Sequence, residues 1–177
     1  MSRAWRWFAL AAAIVAADQL TKWLVLAYFE DRFPREGLTG FFNLVLVLNK
    51  GAAFSLFAQA AGWQTPLLAA FALAAAANVS VLIVRNPGRG LLCFGLALIL
   101  GGALGNLIDR LRFGHVVDFL DFHALGWHWP AFNVADSAIT VGVILLMYAM
   151  LFRDAHIDNT PDRQRNSEQP RAVGDDA

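Results

Sequence analysis

Four apolar runs, at about 7–27, 65–84, 91–109 and 132–152, dominate this chain, and each is close to the ~20 residues an α-helix needs to cross bilayer hydrocarbon. Little else can be built from them. Backbone N–H and C=O groups find no water in lipid, so each run must satisfy them internally as a helix. The expectation is a mainly α membrane protein with four transmembrane helices. With 58% hydrophobic residues, 16% charged residues and a mean hydropathy of +0.49, the chain is too apolar for an ordinary soluble domain. Lysine plus arginine and aspartate plus glutamate both number 14, so no basic excess argues for nucleic acid as a partner. Cys93 is the lone cysteine and lies inside the third run, which excludes an intrachain disulfide or a thiolate metal cluster. Arg3 and Arg6 before an apolar run have the form of a cleavable secretory leader, but the run continues past Asp18 to Leu26 and is read as a retained span.

The segments between the runs set the topology. Arg3, Arg6, Arg85, Arg89 and Arg153 all fall at one side, which the positive-inside rule makes cytoplasmic, with both termini. Residues 28–64 and 111–131 then share the opposite face. Residues 28–40 are polar and read as a loop. Residues 41–57 are different: FFNLVLVLN is short, β-branched and aromatic, and ends in the turn Asn49-Lys50-Gly51 before AAFSLF. It predicts a small β-sheet or hairpin and a surface segment outside the bilayer core. Residues 1–153 make one peptide-chain domain in the membrane, and 154–177, charged and proline-containing, are expected to form a disordered cytoplasmic tail.

Polar residues beside these spans need a reason, because ionisable groups near hydrocarbon are costly and usually functional. Asp18, Thr21 and Lys22 share a helical face, as an ion pair that locks packing or as groups near a substrate. Gly101 and Gly105 allow close helix approach, while Gly102, Asn106 and Asp109 form a polar stripe on the third span. Asn133, Asp136, Ser137 and Thr140 form another on the fourth, and the two stripes are expected to face each other. Asp118 lies just past the third span and Asp136 just inside the fourth, so a helical hairpin brings both to one membrane face. Two carboxylates held together divide one proton between them, the arrangement by which one activates water against a carbonyl and the other supports the oxyanion and leaving amine. Competing readings stand beside this one. Asn133 and Asp136 have capping-box spacing; Asp121 is as plausible a loop acid as Asp118; and His115, Asp118, Asp121, His123 and His128 hint at a metal without a recognised ligand spacing. A small proton-coupled transporter or its subunit using Asp18, Lys22 and Asp136, or a packing protein, would also place acids here.

Five motifs in order narrow the choice: D-Q-x-x-K at Asp18 to Lys22, N-x-G-A-A-F-S at Asn49 to Ser55, G-G-A-L-G-N-L-I-D-R at Gly101 to Arg110, V-V-D-F at Val116 to Phe119 and F-N-V-A-D-S at Phe132 to Ser137. Through them the chain, from Ala17 to about Thr140, resembles the bacterial signal peptidase II family of membrane aspartic proteases. The resemblance implies a catalytic dyad of Asp118 and Asp136 and a metal- and cofactor-free cleavage just before a diacylglyceryl-modified cysteine. The substrate would be a lipid-modified prolipoprotein, met at the periplasmic face of the inner membrane. It further implies that Asn49, Asn106, Arg110 and Asn133 line the site, that Asp18 and Lys22 support it, and that the 41–57 segment lies on the membrane surface; beside these, Gly51 and Phe54 are expected in the lining and Gly102 and Gly105 in the support, with the surface segment read as a clamp on substrate. A monomer with membrane lipid around it completes the expectation.

Overall fold

The computed structural model describes residues 4–33, 35–51 and 63–153, with the backbone alone at 35–36 and 152–153. Phe54 and the 154–177 tail therefore lie outside the described residues. Among the described residues, four helices are long and apolar enough to cross a membrane: α1 (Trp5–Tyr28), α2 (Gln64–Arg85), α3 (Gly90–Phe113) and α4 (Val134–Arg153). Four strands, β1 (Arg35–Gly37), β2 (Phe42–Asn49), β3 (Val116–Ala124) and β4 (Trp127–His128), follow α1 or α3 and so gather at one end of the bundle.

Helix α3 is the axis, packed against α1, α2 and α4. Its small residues make that possible. A Cβ at Gly101 would meet Ile14 and the Ala11 carbonyl of α1, and one at Gly102 would collide with the Ala135 carbonyl of α4. In lipid, where apolar side chains gain nothing by leaving their surroundings, such close backbone approach is the main packing force. α2, rich in alanine but without glycine, packs against α3 and leaves most of its surface exposed. Its two interior polar residues do not reach other helices as helix packing would require: Asn78 Nδ2 and Ser80 Oγ donate to the Ala74 and Ala76 carbonyls of their own helix. Cys93 is buried, its Sγ 2.9 Å from the Asn86 carbonyl.

The sheet is antiparallel in the order β1-β2-β3-β4. β2 is the strand expected within 41–57; it forms an antiparallel hairpin with β1 and, far along the chain, pairs with β3 in the register Asn49↔Val116, Leu48↔Val117, Val47↔Asp118 and, after an irregularity between Leu44 and Val47, Asn43↔Asp121. Two sequence expectations change here. The stretch read as a loop at 28–40 contributes β1, and the external stretch at 111–131 contributes β3, so Asp118 stands on a strand. Gly114 ends α3 with φ +75°, a left-handed turn that glycine adopts without a Cβ penalty, and its N–H returns to the Arg110 carbonyl. Phe119 and Leu120 donate to the Phe132 carbonyl and Phe132 donates to Leu120, which fastens the start of α4 to the edge of β3. Val25 of α1 and Phe29, which follows its last residue, pack with Phe119 under the sheet, and exposed Phe41, Trp127 and Trp129 edge it with aromatics suited to a headgroup layer.

Candidate active site

Asn133 joins the two aspartates. Its side-chain Nδ2 donates to Asp118 Oδ1 at 2.7 Å, and its backbone N–H donates to Asp136 Oδ2 at 3.2 Å. The Asp136 N–H donates back to Asn133 Oδ1 at 2.9 Å, so a reciprocal cap opens α4. Capping and carboxylate placement, alternatives from spacing alone, are one arrangement: the cap is what aims the Asp136 carboxylate. Ser137 and Thr140, on the same helical stripe, bond back to the Asn133 and Asp136 carbonyls and take no part.

Asp118 is positioned by strand pairing. Val47 stands opposite it, so Asn49, two residues on, lies diagonally on the same face, where its Nδ2 donates to Asp118 Oδ2 at 2.9 Å. Asn49 Oδ1 meanwhile accepts the Gly51 N–H at 3.0 Å, an Asx turn that ends β2. Gly51 is buried, and its carbonyl accepts from Arg110 Nη2 at 3.3 Å, which ties that turn to α3. Burial raises the Asp118 carboxyl to about 7; donation from Asn49 and Asn133 works against this, and the charge of Asp136 works with it.

Asp121 goes elsewhere. Three residues from Asp118 on a strand, it points to the opposite face, where it accepts from Asn43 Nδ2 at 2.7 Å and contacts His128 Nδ1 at 2.9 Å. His123 stacks on His128 at 5.0 Å, whereas His115 lies against Phe113. Among the described residues no three His, Cys, Asp or Glu side chains are grouped to hold a metal ion.

Behind the dyad lies a buried polar cluster. The Lys22 ammonium, 3% exposed, meets Asp18 Oδ2 at 2.9 Å, Asp109 Oδ2 at 2.8 Å and Asn106 Oδ1 at 3.0 Å, one acceptor for each proton. Asn106 Nδ2 in turn donates to Asp136 Oδ1 at 2.8 Å. Asp109, expected to face the fourth span, therefore faces α1, and it also accepts the Val117 N–H at 3.2 Å. Thr21 stays outside the cluster, bonded to carbonyls of its own helix. Gly105 is needed for space, because a Cβ there would come within 2.6 Å of Asp18 Oδ2. Gln19, given no role from sequence, donates to Asp109 Oδ1 at 2.8 Å and lies within 3.2 Å of Asp18 Oδ2. Its place directly after Asp18 was the available signal.

Residues 10–152 match a family model described as Signal peptidase (SPase) II. The chain is 53% identical over 147 residues to the lipoprotein signal peptidase of Paraburkholderia phytofirmans, covering 83% of this chain and 85% of that one. It is 54% identical over 150 residues to that of Ralstonia nicotianae, with 83% and 84% covered. A bacterial membrane enzyme solved by the in meso method at 2.3 Å superposes with a TM-score of 0.70 at 25% identity, over 96% of this chain and 94% of the other. A second, at 1.9 Å, gives 0.70 at 28% identity, over 82% and 92%.

Proposed function

This chain belongs to the signal peptidase II family, and on that premise we propose that it is a metal-independent aspartic endopeptidase that removes signal peptides from diacylglyceryl-modified prolipoproteins, with Asp118 and Asp136 as its dyad. The observation that carries the reading is the convergence of two carboxylates, one on a strand and one in the first turn of a helix, on the single residue Asn133 at the sheet end of the bundle. Such a pair shares one proton. The ionised member draws a proton from water as it attacks the scissile carbonyl, and the protonated member hydrogen-bonds the developing oxyanion.

The site's depth suits the substrate. A signal peptide is a helix in lipid whose cleavage point must be unwound, and its freed backbone groups need polar partners at that level. Asn49, Arg110 and Asn133 offer them, with Gly51 shaping the turn beside Arg110 and Phe54 in the surface segment as a clamp on substrate. Asp18, Lys22, Gly102 and Gly105 support the helices. With the arginine-bearing ends in the cytoplasm, the sheet and dyad face the periplasm of the inner membrane, and one copy of the domain at 1–153 supplies every residue named. A transporter that relays protons through Asp18 and Lys22 is disfavoured, since the Lys22 ammonium is already saturated by three acceptors.

The test is cleavage in vitro of a lipidated precursor and its unlipidated counterpart by purified wild type, Asp118→Asn and Asp136→Asn. Wild type should release the signal peptide from the lipidated form alone, chelator should change nothing, and each variant should lose roughly 10³-fold or more in kcat. Full turnover by either folded variant would defeat the dyad.

A further inference from the structure

The two aspartates receive different kinds of donor. Asp118 accepts from two neutral side-chain amides, those of Asn49 and Asn133. Asp136 accepts from a backbone N–H at the first turn of α4, where aligned peptide dipoles present their positive end to an anion, and from Asn106. The Asn106 amide has one orientation its neighbours accept: Oδ1 toward the Lys22 ammonium at 3.0 Å and Asn133 Nδ2 at 3.1 Å, leaving its NH2 for Asp136. Reversed, it would set an NH2 against an ammonium and an oxygen against a carboxylate.

We propose that Lys22 is a positioning residue which, by holding Asn106 Oδ1, fixes Asn106 as a donor to Asp136 and thereby makes Asp136 the ionised base of the dyad and Asp118 its acid. The inference rests on the hydrolytic reading above and assigns the roles within it. Lys22 is itself immobilised. Asp18 and Asp109 clamp it, Gln19 bridges the two carboxylates, and Asp18 Oδ1 accepts the Ala135 N–H at 2.9 Å. The charged groups around Asp136 are Asp18 and Lys22 from α1, Asp109 and Arg110 from α3, and Asp118 from β3; Arg110 lies within electrostatic reach of both dyad members. The charges of Asp18 and Asp109 offset those of Lys22 and Arg110.

In the reaction Asp136 takes a proton from water as the water oxygen bonds to the carbonyl carbon, and Asp118 gives its proton to the carbonyl oxygen. When the C–N bond breaks, the proton on Asp136 passes to the leaving nitrogen and Asp118 recovers its own from the hydroxyl.

The experiment is infrared spectroscopy of the protonated-carboxyl band of the full chain in lipid nanodiscs at pH 6, which needs no substrate. The band should vanish in Asp118→Asn and persist in Asp136→Asn. Adding Lys22→Met to Asp118→Asn, together with Asp18→Asn and Asp109→Asn so that neither of those carboxylates takes up the proton, should restore a band, now from Asp136. Asn106→Leu, which keeps the Lys22 ion pairs, should restore it too and serves if Lys22→Met does not fold. In cleavage assays Lys22→Met should lower kcat about 10²-fold with KM within about threefold, and Lys22→Arg should recover most of it. Loss of the band in Asp136→Asn rather than in Asp118→Asn, or no band in either combined variant, overturns the proposal. If wild type cleaves nothing, the hydrolytic reading fails while the band still decides where the proton sits.

Discussion

The two halves of the candidate site are made in different ways. Asp136 is held from inside the bundle, by its own helix cap and by an amide that a buried ammonium pins in place. Asp118 is held from the surface layer, by a cross-strand neighbour on β2 and by the side chain that caps α4. One carboxylate is fixed by helix backbone and charge, the other by a sheet whose strand ends at the Asn49–Gly51 turn. The contrast separates a carboxylate held by the helix bundle from one held by the surface sheet. It also explains why a small sheet belongs on a helical bundle at all.

Gly102→Val should have the largest effect on this arrangement. Its side chain would drive α3 from α4 at Ala135 and Ile139, and Asp136 would move with the helix. Overpacking of this kind costs about 1–3 kcal/mol, and a misplacement of the reacting groups costs about 10² in kcat; thermal unfolding and cleavage measured together check both. Removing single amides then compares the halves directly. Asn106→Ala strips partners from both Lys22 and Asp136 and should cost about 10²-fold in kcat, whereas Asn49→Ala loses one bond to Asp118 and should cost about 10-fold. Equal losses would remove the asymmetry.

The pH profile probes the surface half alone. Burial lifts Asp118 to about 7, so its proton is present below that pH and lost above it. kcat should fall by about tenfold per unit on the alkaline side. A profile flat to pH 9 would take the acid role from Asp118. Asp121→Asn should change kcat by no more than about twofold, because that carboxyl faces Asn43 and His128 on the other side of β3.

Much of this was legible in the residues, for reasons that differ by element. The four spans were plain because bilayer thickness sets a length that few other constraints imitate. Gly101 and Gly105 marked α3 as a helix that another backbone approaches closely, since small residues in an apolar run signal such approach. Asp118 and Asp121 could not be separated while their segment was read as a loop; once it is a strand, an odd spacing sends them to opposite faces. The β2–β3 register was not legible, because it depends on residues roughly 70 positions apart and on an irregularity at Leu44 to Val47 that no local pattern announces. Asp109 was misdirected for a related reason: helical spacing gives a face, but not which neighbour that face meets.

The bond from the Ala135 N–H to Asp18 Oδ1 spans 117 positions, from the first helix to the last. A ribosome delivers α1 to the bilayer long before α4. Until α4 arrives, Asp18 is paired with Lys22 inside α1 but its Oδ1 lacks the Ala135 N–H, and once α4 arrives that contact fixes the helix start one residue before Asp136. Because Asp136 lies on α4, the two carboxylates of the candidate dyad are present together only after the last span has been made.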